Sequence, residues 1–240
     1  MSAKYEFVPG DEINIAPGRT VKRIRALTAI AAFGVTPGNL GGYIESEANL
    51  SHDGNAWVSD SAQVFGNAWV SDSARVSDSA QVFGNAWVSG NAWVFGNAWV
   101  SDSAQVSGGV RVYGDARVSD SAQVFGGAQV FGGAQVFGGA RVYGDAWVSD
   151  SAQVFGGAQV FGNARVFGEC SKTPICVSGL AWDVTITDAH MQIGCQWHLL
   201  ADWAAFGGTQ IAAMAPGAAK FWDEHRDLLL GLARASGRLS

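Results

Sequence analysis

The sequence predicts a mostly β protein, namely a parallel β-helix built from six-residue repeats and followed by a small α+β unit. Three observations support this prediction. From Ala56 to Glu169 the chain parses as Ala-x-Val-x-x-x, the register never changes, and beyond Glu169 the repeat stops. We therefore expect an N-terminal β cap at 1–40, a hexapeptide-repeat β-helix at 41–169 and a C-terminal α+β domain at 170–240.

Each hexad is predicted to be a very short strand followed by a corner. Valine recurs every six residues from Val58 to Val166, and alanine stands two residues before it, except that Val110 replaces one alanine. Such a stretch points inward, outward and inward along a strand. The next three residues, for example Phe-Gly-Gly or Ser-Asp-Ser, favour turns because Gly and Asp tolerate positive φ. Three hexads would close one coil, and roughly seven coils would form a rod about 33 Å long.

Neither a helix nor a disordered chain explains the repeat. A period of six fits neither 3.6 nor 3.5 residues per turn, and the recurring Gly and Ser-Asp-Ser would interrupt a helix. An unbroken Ala/Val pattern with many aromatic residues is the wrong composition for disorder.

The residue between Ala and Val is expected on the outside, on one of three flat faces. Trp and Arg mostly alternate on the first face, where a guanidinium stacked on an indole is worth roughly 0.5–2 kcal/mol. Gln is frequent on the other two faces, where amides could hydrogen-bond from coil to coil. The first face holds Trp57, Arg75, Trp93, Arg111, Gln129, Trp147 and Arg165; the second Gln63, Gln81, Trp99, Arg117, Gln135 and Gln153; the third Trp69, Trp87, Gln105, Gln123, Arg141 and Gln159.

These outward ladders have two interpretations. They stabilise the β-helix alone, or one face is an interface, since large exposed apolar surface usually marks an interaction site. On the second interpretation the candidate binding residues are Trp57, Arg75, Trp93, Arg111, Trp147 and Arg165. We then expect a homo-oligomer, either a dimer or a trimer.

The first forty residues do not repeat and are expected to cap the first coil, because an uncovered end exposes strand edges and core. In the β-like run "TVKRIRALTAI", the cluster Lys22, Arg23 and Arg25 would contact nucleic acid or an acidic partner, or form an ordinary solvated face. Ile44 and Leu50 supply two earlier inward positions, and "SHDGN" adds two residues to one corner.

Residues 40–169 resemble the left-handed β-helix proteins of the transferase hexapeptide group. The stretch "NLGGYIESEANLSHDGNAWVSDSAQV" is similar to the opening of uncharacterised hexapeptide-repeat proteins of bacteria and phages. The resemblance implies a left-handed coil, trimers packed along their long faces, and a phage or prophage origin. It also implies an acyltransferase or a carbonic anhydrase.

The residues themselves do not favour an enzyme in the coils. Acyltransferases of this group use a general-base His, and the carbonic anhydrases bind zinc through several His, yet no His occurs between Gly54 and Glu169. Stacked aspartates, Asp60 with Asp78 and Asp102 with Asp120, would cap their own turns or hold Ca²⁺.

The C-terminal unit is predicted to contain one strand and two helices. "LAWDVTIT" alternates like a strand. A first helix is expected to begin near Met191, and a second, after Pro216, to end at Gly237. The helical faces expected to be buried are Ile193, Trp197, Leu200 and Ala204 in the first helix, and Phe221, Leu228, Leu229 and Leu232 in the second.

The run "DAHMQIGCQWH" is the candidate metal site. On a helix Cys195 and His198 would face the same way, with His190 just before them. A fourth zinc ligand would come from Cys170 or Cys176. Structural packing and a Cys–His nucleophile are the alternatives, so we expect either no cofactor or one zinc ion in this unit.

Composition narrows the function classes. The net charge is −6, which argues against a nucleic-acid binder that works by bulk charge. The three Cys are an odd count that suits a reducing compartment, and no membrane span or apolar leader is recognisable. These features predict a soluble, cytoplasmic protein.

The expected function is that of a non-enzymatic binding protein. An oligomerising rod would carry a C-terminal recognition unit that binds a partner protein, and one role of such binding is to inhibit a host defence component. One alternative is an acyltransferase-like enzyme with its site between subunits. The other is a sponge for a small ligand at subunit junctions.

Overall fold

Short parallel strands wind around a core of alanine and valine. The computed structural model describes residues 3–168 and 170–239. Three longer strands come first: β1 (Tyr5–Ala16), β2 (Arg19–Ala26) and β3 (Leu40–Ile44). Nineteen two-residue strands follow: β4 (Trp57–Val58), β5 (Gln63–Val64), β6 (Trp69–Val70), β7 (Arg75–Val76), β8 (Gln81–Val82), β9 (Trp87–Val88), β10 (Trp93–Val94), β11 (Trp99–Val100), β12 (Gln105–Val106), β13 (Arg111–Val112), β14 (Arg117–Val118), β15 (Gln123–Val124), β16 (Gln129–Val130), β17 (Gln135–Val136), β18 (Arg141–Val142), β19 (Trp147–Val148), β20 (Gln153–Val154), β21 (Gln159–Val160) and β22 (Arg165–Val166).

These strands form three parallel sheets, as the hexad spacing predicts. One sheet runs β4-β7-β10-β13-β16-β19-β22, another β6-β9-β12-β15-β18-β21, and a third continues from β3 through β5-β8-β11-β14-β17-β20. Every repeat strand from β4 to β19 pairs with the strand three hexads later, for example Trp93 with Arg111. The prediction of three hexads per coil and about seven coils is confirmed, and so are the three predicted faces.

The core is uniform along the rod. All the repeat valines from Val58 to Val166 have no exposed surface, and of the residues two before them only Ala158 is more than slightly exposed. A buried valine contributes about 1.5–3 kcal/mol, so the regular core supplies a large share of the stability. Ile44 and Leu50 are buried as expected and pair with Val64 and Val70 of the next coil.

One position in every corner has positive φ and is occupied only by Gly or Asp. The prediction that each aspartate caps its own turn is wrong, because the carboxylate accepts a backbone N–H of the corresponding turn one coil later. Asp78 Oδ2 accepts the Gly96 N–H at 2.9 Å, and Asp120 Oδ2 accepts the Gly138 N–H at 2.9 Å. Asp102 Oδ2 lies 3.4 Å from the Asp120 amide nitrogen. No group of three or more potential metal ligands occurs in residues 3–168 and 170–239.

Aromatic side chains beside the corners stack coil on coil. Their rings are nearly parallel, with centroids 4.8 Å apart in one pair and 5.2 Å in another. Parallel stacking at this spacing is favourable and follows from the coil height. The stacked pairs include Phe65–Phe83, Phe95–Tyr113, Tyr113–Phe131, Phe125–Tyr143 and Phe137–Phe155. No hydrogen bond joins two of the face glutamines in the described part of the chain, so the expected amide ladders do not form.

The N-terminal strands cap the first coil. β1 pairs with β2 and β2 with β3, both antiparallel, and β3 then continues into a β-helix sheet. The two arginines of the basic cluster are paired within this cap: Arg23 Nε lies 2.9 Å from Asp11 Oδ2, and Arg25 pairs with Glu6. Lys22 Nζ lies 5.7 Å from the centroid of the Phe7 ring. A solvated, internally paired face therefore describes the cluster better than a site for acidic partners.

Trp57 departs from the expectation that all residues between Ala and Val lie outside. It is only 1% exposed. The cap covers it: a Cβ placed on Gly41 would lie 2.8 Å from Trp57 Cζ2 and 2.6 Å from Ile24 Cγ1. Trp57 therefore belongs to the core and presents no surface on the first face.

The C-terminal unit packs a four-stranded antiparallel sheet against three helices. The strands are β23 (Ile175–Val177), β24 (Val184–Ile186), β25 (His190–Ile193) and β26 (Gln196–Leu199), in that order. The helices are α1 (Leu200–Ala205), α2 (Gly208–Ala212) and α3 (Ala218–Ala235). No helix in the described residues is both long and apolar enough to span a membrane.

The prediction that a helix begins near Met191 is wrong. This segment is the hairpin β25–β26, which turns at Gly194 with φ of 56°. Positive φ is easily adopted by Gly and breaks a helix, while the flanking apolar residues also fit a period of two. The predicted strand at "LAWDVTIT" is confirmed as β24, although Trp182 lies before it.

The predicted second helix is confirmed as α3, which ends before Gly237. Phe221 and Leu229 are buried as expected. The prediction that Leu228 is buried is wrong, since its side chain is 55% exposed. Trp222 and Leu230 are buried instead. The buried stripe of α3 is thus displaced around the helix from the one that the leucine spacing indicated.

Candidate functional site

Near the cap, the first face is occupied by contacts within the chain. The Arg75 guanidinium carbon lies 5.2 Å from the Trp93 ring centroid and 5.7 Å from that of Phe33. Trp93 Nε1 donates to Ser77 Oγ at 3.0 Å. Arg75 therefore packs on Trp93 and on Phe33 of the cap, although its buried Nε has no hydrogen-bond partner among the described residues, while Arg111, farther along the rod, is exposed.

At the other end the same face opens into a cleft of about 420 Å³. The face meets the β25–β26 hairpin there, so residues of the repeat and residues of the C-terminal unit share one concave surface. We call it the junction cleft. It is lined by Asp145, Trp147, Asn163, Arg165, Gln192, Gly194, Cys195 and Trp197.

The buried side chain of Gln192 fixes the hairpin to the last coil. Along the rod each outward residue donates its N–H to the next coil, as Trp147 does to Ala164 O at 2.9 Å. Arg165 stands in the last strand, and its N–H donates instead to Gln192 Oε1 at 2.8 Å. Gln192 Nε2 donates to Asn163 O at 3.0 Å and to Gly194 O at 2.8 Å. One amide side chain thus replaces the missing strand of an eighth coil.

Trp197 lines the junction cleft and stacks on two further rings that lie outside the lining. The ring centroid of Trp197 lies 3.8 Å from that of His190 and 4.5 Å from that of Phe167. The planes of these two rings are tilted from the Trp197 plane by 16° and 26°. Burial lowers the pKa of His190 from its ordinary value, against the opposing charge of Asp202. The imidazole is therefore used as a neutral packing surface near pH 7.

Polar groups that line the junction cleft are available to a ligand. The Arg165 guanidinium carbon lies 4.5 Å from the Trp147 ring centroid, a cation–π contact that restrains the arginine side chain. Arg165, Asp145 and Asn163 are exposed. Their side chains make no hydrogen bond within residues 3–168 and 170–239. The junction cleft thus offers a cation, an anion and an amide beside two indole rings.

The structure does not bring the candidate metal ligands together. His190 pairs with Leu199 and His198 with Met191, so the two imidazoles lie on opposite faces of the hairpin. His198 packs edge-on against Trp203 and Phe206, with centroids 5.4 and 5.0 Å away. Cys195 lies in the exposed turn and contributes its surface to the cleft.

Of the predicted binding residues, Trp147 and Arg165 line the junction cleft, whereas Trp57, Arg75, Trp93 and Arg111 lie elsewhere along the face. Sequence reasoning missed Asp145, Asn163 and Gln192 as site residues. Asp145 and Asn163 are corner residues indistinguishable from their repeats, and nothing in the sequence indicates that Gln192 contacts a strand 27 residues earlier.

A family model described as the YdcK beta solenoid repeat matches residues 62–78, 80–95, 110–126, 134–150, 140–156 and 158–171. Each matched segment is about one coil long. No curated protein matches the chain. The relation to hexapeptide transferases and the phage origin therefore stay expectations. The matched coils and the seven-coil parallel architecture together make this chain a repeat β-helix protein, similar over its coils to the YdcK beta solenoid repeat.

Proposed function

We propose that the protein is a non-enzymatic binding protein whose β-helix presents the junction cleft to a partner protein. The observation that carries this proposal is the cleft itself, where unique residues of the C-terminal unit meet the end of a repetitive face. Neighbouring coils are nearly interchangeable, whereas a specific site requires residues that occur in one setting only.

The chemistry of the cleft suits a polar segment of a partner. Arg165 can donate to a carboxylate or a backbone carbonyl, and Asp145 and Asn163 can accept N–H groups. Trp147 and Trp197 supply apolar surface at a low entropic cost, as aromatic anchors do in interfaces. A volume of about 420 Å³ accommodates one or two side chains of the partner.

An acyltransferase-like reaction has less support. Catalysis of that kind requires a general base near the coils, and the imidazole of His190 stacks on Trp197, with centroids 3.8 Å apart, and is not part of the lining of the junction cleft. A small-ligand sponge at subunit junctions would need a second chain across the face, which light scattering of the purified protein tests.

The resemblance to bacterial and phage hexapeptide-repeat proteins supports two finer statements. We place the partner among host proteins of a bacterium, with a defence component as one target. We also place the protein in the cytoplasm, consistent with three free cysteines, Cys170, Cys176 and Cys195.

Affinity capture from lysate of the producing cell tests the proposal when matched variants are compared. We expect Arg165→Ala and Asp145→Ala to lower the affinity for the captured partner by tenfold or more. Arg111→Ala is the control, since Arg111 is exposed on the same face outside the cleft. Equal affinity in all four proteins would overturn the assignment of the cleft.

A further inference from the structure

Most outward tryptophans of the β-helix are already paired with a cation of their own chain. In each pair the arginine stands one coil away on the same face, and its guanidinium carbon lies over the indole ring. The pairs are Trp93 with Arg75 at 5.2 Å, Trp99 with Arg117 at 4.9 Å and Trp147 with Arg165 at 4.5 Å.

Trp69 and Trp87 are the exceptions. They are register neighbours on the third face, and the next residue along that ladder is Gln105. No Lys or Arg of the described residues lies over either ring. They are 45% and 52% exposed, more than the other tryptophans of the repeat. Two indoles are thus displayed without the cation that the same position receives elsewhere.

A cavity of about 330 Å³ lies beside these two rings, and its polar lining is acidic. Asp53 and Asp72 contribute carboxylates, and Ser51 and Ser71 contribute hydroxyls. Asp53 makes no ion pair within 4 Å among the described residues. One oxygen of Asp72 accepts the Gly90 N–H at 3.0 Å, which leaves the other available.

Lys4, a cation whose pKa is affected by Asp53, does not line this cavity. The negative charge of Asp53 acts to raise the pKa of Lys4, but the Lys4 side chain is buried and its Nζ donates to Ala56 O at 2.8 Å. The two exposed indoles and the two neighbouring carboxylates are therefore not contacted by a cationic side chain of the described residues.

We propose that this surface, the Trp69/Trp87 cavity, binds an arginine side chain of a partner protein. A guanidinium stacks on an indole face and its N–H groups fit carboxylate oxygens, which a lysine ammonium does less well. The chain itself supplies the precedent, because it places guanidinium groups over Trp93, Trp99 and Trp147. This site lies at the opposite end of the rod from the junction cleft and does not depend on it.

The test titrates the peptide Ac-Gly-Arg-Gly-NH₂ and follows the indole N–H signals by NMR. We expect saturable shifts of the Trp69 and Trp87 signals. The same peptide with citrulline, which is similar in shape but uncharged, should bind at least tenfold more weakly. Asp53→Asn should weaken binding of the arginine peptide about threefold or more, and Trp99→Ser, at a tryptophan already stacked by Arg117, should leave it unchanged.

A second variant fills the site from within the chain. Gln105→Arg places a guanidinium one coil after Trp87, in the relation that Arg117 has to Trp99. This variant should stay folded, gain thermal stability and lose binding of the arginine peptide by tenfold or more. Because it adds a contact, it avoids the risk that removing both tryptophans disturbs the fold.

Several outcomes would overturn the proposal. These are no shift at millimolar arginine peptide, equal binding of the citrulline peptide, or unchanged binding in Gln105→Arg. Saturable binding of a neutral sugar at the same indoles, without arginine binding, would assign the cavity to carbohydrate. A dimer that dissociates on Trp69→Ser would assign it to a second copy of the chain.

Discussion

At the scale of single residues, Gln192 joins the C-terminal unit to the last coil of the β-helix. It is 6% exposed and its amide satisfies three backbone groups, two of them in the last coil. A buried backbone group that loses its partner costs about 1–3 kcal/mol. Gln192 therefore couples the C-terminal unit to the β-helix through polar contacts rather than through apolar packing.

We expect Gln192→Ala to lower the free energy of unfolding of the protein by about 2–3 kcal/mol, since the Arg165 N–H and the Asn163 carbonyl are left unpaired. Denaturant unfolding followed by circular dichroism measures this. Gln123→Ala is the matched control, because the Gln123 side chain makes no hydrogen bond in the described residues, and its effect should stay within about 0.5 kcal/mol. Similar losses in both variants would contradict the role given to Gln192.

At the scale of the structural element, the corner decides which residues a hexad tolerates. Gly132 has φ of 67°, and a Cβ there would lie 2.9 Å from the Asp150 amide nitrogen in the next coil. Gly156 has φ of 66° but no atom within 4 Å of such a Cβ, and Gly157 has neither constraint. These three glycines separate backbone strain from steric crowding.

Alanine at the three positions should destabilise the protein in a fixed order. Gly157→Ala should be nearly neutral, Gly156→Ala should cost about 1–2 kcal/mol for the left-handed conformation, and Gly132→Ala should cost more because the next coil must also shift. Thermal unfolding of the three variants gives the ranking. Equal melting temperatures for Gly132→Ala and Gly157→Ala would refute this account of the corner.

The cap contains a buried lysine that makes its stability depend on pH. Burial lowers the pKa of Lys4 from 10.5 to about 8, although the charge of Asp53 opposes this. Between these two values the unfolded chain binds more protons at Lys4 than the folded chain does. The contribution of Lys4 to stability therefore rises with pH from about 8 toward 10.5.

Comparison of the wild type with Lys4→Met isolates this effect from Tyr5 and the cysteines, which both proteins share. We expect the stability of the wild type to rise relative to Lys4→Met by about 1–2 kcal/mol between pH 8 and 9.5. Melting temperatures across this range provide the measurement. If the difference in stability between the two proteins stays constant or falls with pH, burial does not lower the pKa of Lys4.

The elements differ in how far the sequence predicts them. The Val period of six alone leads to the strand positions, the coil size and the three faces, because every repeat obeys the same steric rule. The β25–β26 hairpin was mistaken for a helix because Ile193, Trp197 and Leu200 fit either period over so short a segment. Trp57 was misplaced because its cover comes from the non-repetitive cap, which no periodicity describes.

At the scale of the whole molecule, the repeat separates two surfaces that contain unique residues. The junction cleft draws on residues from Asp145 onward, and the Trp69/Trp87 cavity on residues up to Trp87. The coils between them carry the chain from one to the other. The cleft escaped sequence-based prediction because it exists only where the hairpin docks, through contacts such as that between Gln192 and Asn163.

The coils between the two surfaces can be shortened without disturbing either one. Removing residues 123–140 deletes one whole coil and joins Ala122 to Arg141, which restores the Ala-x-Val pattern and brings Arg141 next to Gln105. The rod loses about 4.8 Å, and its two ends keep their angular relation. Removing only residues 117–122 joins Ala116 to Gln123 and rotates the C-terminal unit by about one third of a turn relative to the cap.

Both deletions should fold with a slightly lower melting temperature, because stability in a solenoid is a sum over neighbouring repeats. If the partner contacts the junction cleft alone, both proteins should bind it within about threefold of the wild type, since Trp147 and Arg165 remain one coil apart in each. If binding survives the whole-coil deletion but falls tenfold in the one-hexad deletion, the partner also contacts the rod nearer the cap. The reason is that only the one-hexad deletion rotates the C-terminal unit relative to the cap. Loss of binding in both would mean that the deleted coils themselves contact the partner, and recognition would then belong to the repetitive faces rather than to the cleft.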